Sequence, residues 1–554
     1  MATYNPLLGN GAAGSLSRDI KEAFELSGAA VEGEEYFKRE LAKGNAAGMK
    51  KVLRWPELIS LGIGATIGAG IFVVTGAVAR DTAGPALCLS YIFSGICCLL
   101  SSFSYAEFAA ISPQAGSAYG FTKATMGTWW GWVIGWDLIL EYGVTAAGVS
   151  QGWSKYFNAL LKLFGAEVPL LIRSAPWAYD PDTGKITVTG SMFDVPAVLI
   201  SFTLTLILIR GIKESARINN FMVAFKVTIV LFVILGGIAF ISPSNYQPFM
   251  PYGFFGISFF GYTAVGGTDK KGDSVGVLAA ASIVFFAFIG FDAVSTQAEE
   301  CENPQRDLPI GIVGSLVVST VLYVSVALVL VGMVPYQQID REAPLSSAFG
   351  DHGMKWAQVI VSLGALAGLS SVMLVNLLGQ PRILMAMARD GLLPKEFFSD
   401  IHPTFRTPYR STALTGLFVA IVGALIPLSV LVELVSMGTL MAFGFVNVSV
   451  IILRRTQPNL HRPFKCPYCP WVPGAGAASC FLLMLSLPST NWVRLIVWFL
   501  IGMTVYKFYS VPNMARIAAE ASAKEKDDTA TVRAARHPEY ARDGWVEEVK
   551  SPLH

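Results

Sequence analysis

The chain has 554 residues, of which 53% are hydrophobic and only 14% charged, with a formal net charge of +2. Soluble proteins carry roughly 25% charged residues, and one soluble core stops growing at about 250–300 residues. Collagen-like, disordered and disulfide-scaffold classes are excluded, the small net charge implies no nucleic-acid partner, and the composition is that of an all-α polytopic protein embedded in membrane lipid.

Residues 1–56 are polar and mixed in charge, without the apolar core and cleavage site of a signal peptide, and read as a cytosolic N-terminal tail. Apolar runs of about twenty residues then recur near 58–79, 85–109, 127–150, 194–209, 218–241, 275–297, 309–334, 357–387, 411–428, 430–453, 471–487 and 492–511. They predict about 12 transmembrane helices, with ends uncertain by several residues. With the N-terminus inside, Arg210, Lys213 and Arg217, then Arg389, Lys395, Arg406 and Arg410, then Arg454, Arg455, Arg462 and Lys465 fall on cytoplasmic connections, as the positive-inside rule requires. Four Lys and Arg residues in the outside connection 152–194 dilute that signal. The tail 512–554 returns to the cytosol.

The first span carries four glycines within nine residues, Gly62, Gly64, Gly68 and Gly70, near the expected bilayer middle. Each costs about 1 kcal/mol of helix propensity relative to Ala. Close helix packing through small residues explains one such string. The sixth span repeats the interruption in Phe286-Ala287-Phe288-Ile289-Gly290-Phe291-Asp292, and two interrupted helices five spans apart are more specific. That spacing fits an inverted repeat, 57–241 against 275–453, with 454–511 as two additional helices and the breaks meeting at the midplane. Unwound backbone at that depth is tolerated only where it lines a protein cavity. The N–H groups freed along Thr66, Ile67, Gly68, Ala69 and Gly70 open a half-helix and attract a carboxylate. The carbonyls freed around Phe286, Ala287 and Ile289 attract an ammonium group. A molecule of one-residue size that carries both is an α-amino acid, with its side chain left open.

Glu141, Lys226 and Asp292 lie within apolar spans, where a charge costs at least about 2.5–3.5 kcal/mol, so each is a functional candidate. Lys226 has no carboxylate one turn away, and desolvation brings its neutral amine within reach, which makes it a candidate proton carrier. Permanent pairing with a carbonyl or a distant acid is the structural alternative. Glu141 is a candidate for that partner, for a gate or for a contact to a cationic substrate. Asp292 is equally a helix cap and a coupling or gating group. Asp137 and Glu107 read as interface anchors, Trp129, Trp130, Trp132 and Trp136 as an interfacial belt, and Asn376 as an amide bonding a neighbouring helix, with a pocket role as the lesser reading. Seven cysteines give no disulfide framework. Cys466 and Cys469 form one CxxC without the further ligands of a zinc site, so no metal or cofactor is expected.

The stretches Gly62 to Phe72, Tyr105-Ala106-Glu107-Phe108 with Gly116-Ser117-Ala118-Tyr119, Gly135 to Tyr142, Phe288 to Asp292 running into Glu299 to Pro309, and Met387 to Pro394 resemble the cationic amino acid transporter family of the amino acid–polyamine–organocation superfamily. The resemblance covers roughly Leu53 to Tyr509. It implies a LeuT-type fold, the substrate carboxylate on the first break and its amino group on the sixth. It also implies proton coupling at Lys226, closure from outside by Phe286, and a substrate-facing or gating role for Glu141. Animal members are often longer, with about fourteen spans, and twelve-span members include carriers of small neutral amino acids, so the resemblance leaves side-chain selectivity open.

The expectation is a secondary transporter of L-amino acids, not an enzyme, with the proton as coupling ion and membrane lipid as surroundings. Plasma and vacuolar membranes are both open. Uncoupled facilitation, exchange and a non-transporting amino-acid sensor are the rival readings. The tails hold no recognisable signalling module, and the spans hold no paired Asp, HExxH or Ser–His constellation.

Overall fold

A computed structural model describes residues 53–517 and 519–520, apart from 112–116, 181–184, 211, 260–261, 269–273 and 406. The N-terminal tail before residue 53, most of the C-terminal tail and Gly116 and Arg406 lie outside the described residues.

Among the described residues twelve helical stretches follow the predicted runs. They are α1 (55–83, interrupted), α2 (Leu87–Ile111), α3 (128–163), α4 (Val195–Arg210), α5 (Ile212–Gly237), α6 (277–300, interrupted), α7 (Pro304–Met333), α8 (Lys355–Arg389), α9 (Tyr409–Leu425), α10 (Leu428–Thr456), α11 (Trp471–Leu485) and α12 (Ser489–Val505). By length and composition, seven helices among the described residues can cross a membrane, and α4, α9 and α11 are shorter apolar helices.

The helix starts follow ordinary chemistry. Pro56 opens α1, where Glu57 accepts the Arg54 backbone N–H at 3.1 Å, and Pro304 opens α7. Proline suits a first turn because its missing N–H would lack a partner there anyway. The Arg54 side chain reaches Glu302 at 2.7 Å and Glu302 N–H bonds Leu53 O at 2.9 Å, which ties the start of α1 to the turn after α6. The periodicity did not foresee the hairpin of β1 (Trp177–Asp180) and β2 (Lys185–Val188) after α3, or that of β3 (Ile257–Phe259) and β4 (Tyr262–Val265) before α6.

Helix α2 packs along α7, α3 along α8, and α4 along α9, while the first half of α1 is clasped by α7, α5 and α8. The aromatic run at the start of α3 is not a lipid-facing belt throughout. Trp132 is buried and donates to Gly502 O at 3.2 Å, and Trp136 stacks on Trp498 and exchanges indole-to-carbonyl bonds with it. These rings fasten α12 to α3.

Candidate functional site

The first half of α1 ends at Thr66, and Ile67 turns extended (φ −72°, ψ 98°). The helix restarts with Ile71 and Phe72 both donating to Gly68 O at 3.1 Å, so the N–H groups of Gly68, Ala69 and Gly70 precede the new ladder. Residues Gly70–Val74 form a wider π-helical turn, whose Gly70 carbonyl is held by Thr75 Oγ1 at 3.0 Å and by the Tyr91 hydroxyl at 3.1 Å. Thr66 turns inward to Gly62 O at 3.0 Å and to Ser319 Oγ at 2.9 Å.

In α6 the helix tightens over Phe285–Phe288, becomes extended at Ile289 (ψ 131°) and reverses at Gly290 (φ 116°). Only glycine adopts that φ without strain, and a Cβ there would sit 2.9 Å from Ala65 backbone atoms. A Cβ on Gly70 would lie 2.3 Å from Ala287 Cα, and one on Gly68 would lie 2.6 Å from a Val372 methyl. The two breaks therefore lie against each other, Gly70 on Ala287 and Ala65 on Gly290. The Ala287 carbonyl already accepts the Tyr323 hydroxyl at 2.8 Å. Phe286 and Ile289 are buried at this junction.

Lys226 is fully buried, and its partners are not acids. Nζ donates to Gly64 O at 2.6 Å and Ile67 O at 2.8 Å, with Ser371 Oγ at 3.4 Å. Ser371 Oγ also donates to Gly64 O at 3.2 Å. The amine thus joins α5 and α8 to the carbonyls released where α1 unwinds. Of its candidate partners in the sequence reading, the backbone carbonyl is present and Glu141 is not.

Glu141 lies in a second π-helical turn, Leu140–Val144 of α3, a distortion that often marks functional positions. Its carboxylate is buried, and neither oxygen has a hydrogen-bond partner among the described residues. It is buried beside the carboxyl of Asp292, near enough for the pair to share a proton, and the Asp137 charge also acts on it. Asp292 accepts from the Tyr142 hydroxyl at 2.6 Å through one oxygen and leaves the other without a partner. The same carboxylate is set against the backbone N–H groups of Gly290, Asp292 and Ala293 where the helix restarts, so the capping reading stands beside a bond between α6 and α3.

Two expectations are corrected outright. Glu107 and Asp137 are not interface anchors, since both are 0% exposed. Glu107 receives Arg454 Nη2 at 2.6 Å and the Cys466 N–H at 2.7 Å, with Arg462 Nε at 3.3 Å. Hydropathy placed Glu107 at a span end but had no means of seeing donors about 350 residues away. Asn376 bonds its own helix at Val372 O (2.9 Å) rather than a neighbour. Cys466 is buried, which pushes its thiol up to about 12, with the nearby Glu107 charge acting in the same sense. Among the described residues no group of three or more His, Cys, Asp and Glu side chains could hold a metal ion.

Residues 53–511 match the amino acid permease family. The chain is 43% identical over 483 residues to a branched-chain amino acid permease of Bacillus subtilis (strain 168), covering 87% of this chain and 95% of that protein. It is 41% identical over 469 residues to a methylthioribose transporter of the same organism, covering 85% of this chain and 95% of that protein. It is 40% identical over 423 residues to the vacuolar cationic amino acid transporter 2 of Arabidopsis thaliana, covering 76% of this chain and 62% of that protein.

Proposed function

Since the chain belongs to the amino acid permease family of the amino acid–polyamine–organocation superfamily, and is thus an integral membrane protein for amino acid transport, we propose that it is a proton-coupled symporter of L-amino acids. It works by alternating access around the paired breaks of α1 and α6. The repeats are 57–241 and 275–453 in a LeuT-type arrangement, both termini are cytosolic, and the substrate's α-carboxylate sits on the N–H groups of Gly68 to Gly70. Its ammonium group takes carbonyls of the 286–289 turn, and Phe286 closes the site from outside.

The observation that carries this reading is the seat of Lys226 on Gly64 O and Ile67 O. An ammonium offers three donors and a neutral amine two, so proton loss removes one of the three bonds to Gly64 O, Ile67 O and Ser371 Oγ and the positive charge that the two carbonyls at the joint of α1 face. Protonation then favours one setting of that joint, and substrate favours a setting through the adjacent N–H groups. Two ligands that bias one equilibrium are thermodynamically coupled. Lys226→Met removes the titrating group and keeps much of the apolar stem, so uptake by the variant is expected to lose its dependence on pH. Unchanged pH dependence in a folded Lys226→Met protein overturns the coupling role.

A cationic side chain is the preferred cargo on this reading. The partnerless oxygens of Glu141 and Asp292 are costly unless a cation or a proton meets them, and a guanidinium or ammonium on the substrate supplies the first. A second reading, a neutral branched side chain, is favoured by the relative named for branched-chain amino acids and by the apolar neighbours Ile67, Phe286 and Val372. Competition of arginine against leucine for uptake decides between them, and Glu141→Gln weakens arginine selectively only on the first.

A further inference from the structure

Asp137 is a buried carboxylate that the proposed substrate seat does not use. It sits one helical turn before Glu141 on α3, toward the end predicted to face the cytosol, fully buried and with neither carboxylate oxygen partnered among the described residues. Unsatisfied buried polar atoms cost about 1–3 kcal/mol each, and more for charged ones. Here they do not stop at one side chain. Tyr105 Oη of α2, Thr145 Oγ1 of α3, Gln380 Oε1 and Nε2 of α8, and Ser436 Oγ and Thr439 Oγ1 of α10 are all buried and partnerless among the described residues.

The placement of these atoms gives them a common direction. The Tyr105 ring is held edge-on by Phe291, which precedes Asp292, and by Phe443 of α10. Its hydroxyl feels the charges of Asp292, Glu141 and Asp137. Gly438 of α10 stands directly against Asp137, where a built Cβ would be 2.7 Å from Oδ1, with Ser436 and Thr439 beside it in sequence. Gln380 Oε1 lies near Gly143, within the π-helical turn that carries Glu141. The Tyr105 hydroxyl and the Gln380 amide thus lie beside the run of carboxylates Asp292, Glu141 and Asp137, with Gly438 of α10 closing against Asp137. Hydroxyls and amides that lack protein partners but stand close together are the surroundings in which bridging waters are held.

We propose that Asp137, Glu141 and Asp292, joined by water held on Tyr105 and Gln380, form a proton-conducting line between the broken helices and the cytoplasmic end of α3, with Asp137 as its outlet. This rests on the symport reading above, to which it adds the route of the proton. Transfer along the line moves a proton from one carboxyl to a bridging water while that water gives its own proton to the next carboxylate, so charge and atoms balance at each step. The titratable groups facing Asp137 are Glu141 on its own helix and Tyr105 from α2. Beyond Glu141 are Asp292 and Tyr142. Lys123, from the short helix Ser117–Met126, is engaged with Asp390 at 2.6 Å, and Arg382 of α8 with Gln297 at 2.8 Å. From α10 it is Gly438 that stands against it.

The test uses full-length protein in proteoliposomes and three readouts: exchange of labelled for unlabelled arginine without a gradient, accumulation driven by an inside-alkaline gradient, and proton flux from a trapped pH dye. Asp137→Asn is expected to keep exchange within about twofold and to lose about tenfold or more of accumulation and proton flux, the scale of a lost proton-transfer group. Asp137→Glu is expected to restore both. Tyr105→Phe, which removes one hydroxyl, is expected to slow proton flux severalfold with exchange intact, and keeps the test open if Asp137→Asn fails to fold. Asp137→Asn accumulating like wild type overturns the line, as does equal loss of exchange and accumulation without rescue by Glu. Wild type that exchanges but never accumulates overturns the symport reading itself, a separate result.

Discussion

Glu107 and Glu141 are two glutamates in apolar helices, both buried, and their surroundings are opposite. Glu107 gathers Arg454, Arg462 and the Cys466 N–H, whereas Glu141 has no hydrogen-bond partner among the described residues. The first is an internal fastener that holds the loop between α10 and α11 against α2. The second is buried beside the carboxyl of Asp292 instead. A buried charge with its counter-charges already present is structural, and one without a counter-charge points to cargo or coupling ion.

That contrast can be broken by substitution. Glu107→Gln leaves two arginines short of their counter-charge, so its midpoint in a thermal unfolding assay in detergent is expected to fall, with a loss of about 3 kcal/mol or more. The variant that folds is expected to keep its substrate preference. An unchanged midpoint removes the fastener role. Gly70→Val drives a branched side chain into Ala287, at a cost of about 1–3 kcal/mol from overpacking, and is expected to abolish substrate binding measured by ligand-induced thermal shift. Retained binding would mean that the two breaks need not touch.

Glu141→Gln is expected to do the reverse of Glu107→Gln. Its thermal midpoint should hold or rise, because a neutral amide is cheaper to bury, while the preference for arginine over leucine falls about tenfold, or 1.4 kcal/mol. A lowered midpoint with unchanged preference would make Glu141 a second fastener. The smallest effect is expected at Cys466, whose thiol, held near 12, stays protonated at neutral pH. Since the thiolate is the reacting form, its alkylation by maleimide should be slow at pH 7 and rise about tenfold per pH unit. Fast labelling at pH 7 would show that the loop pinned by Glu107 opens.

Much of the arrangement was legible in the sequence. Hydropathy located the helices, and the glycines of α1 and Gly290 of α6 marked both interruptions because loss of helix propensity is a local property. What hydropathy reports is depth, not partnership. It therefore put Glu107 and Asp137 at an interface, when one meets Arg454 at the end of α10 and Arg462 of the loop after it, and the other faces Gly438 of α10. Lys226 was singled out as a charge in an apolar span, yet its carbonyl partners became visible only once α1 was seen to unwind beside α5. The π-helical turn at Glu141 had no signal, since Leu140-Glu141-Tyr142-Gly143-Val144 reads as ordinary helix.

The most direct test of the central claim is uptake of labelled L-arginine and L-leucine into proteoliposomes under an inside-alkaline gradient, with wild type beside Lys226→Met. Accumulation of arginine above equilibrium by wild type, and mere equilibration or none by Lys226→Met, is the predicted result. Equal uptake by both proteins, with no response to the gradient, would contradict it and return Lys226 to a purely structural role.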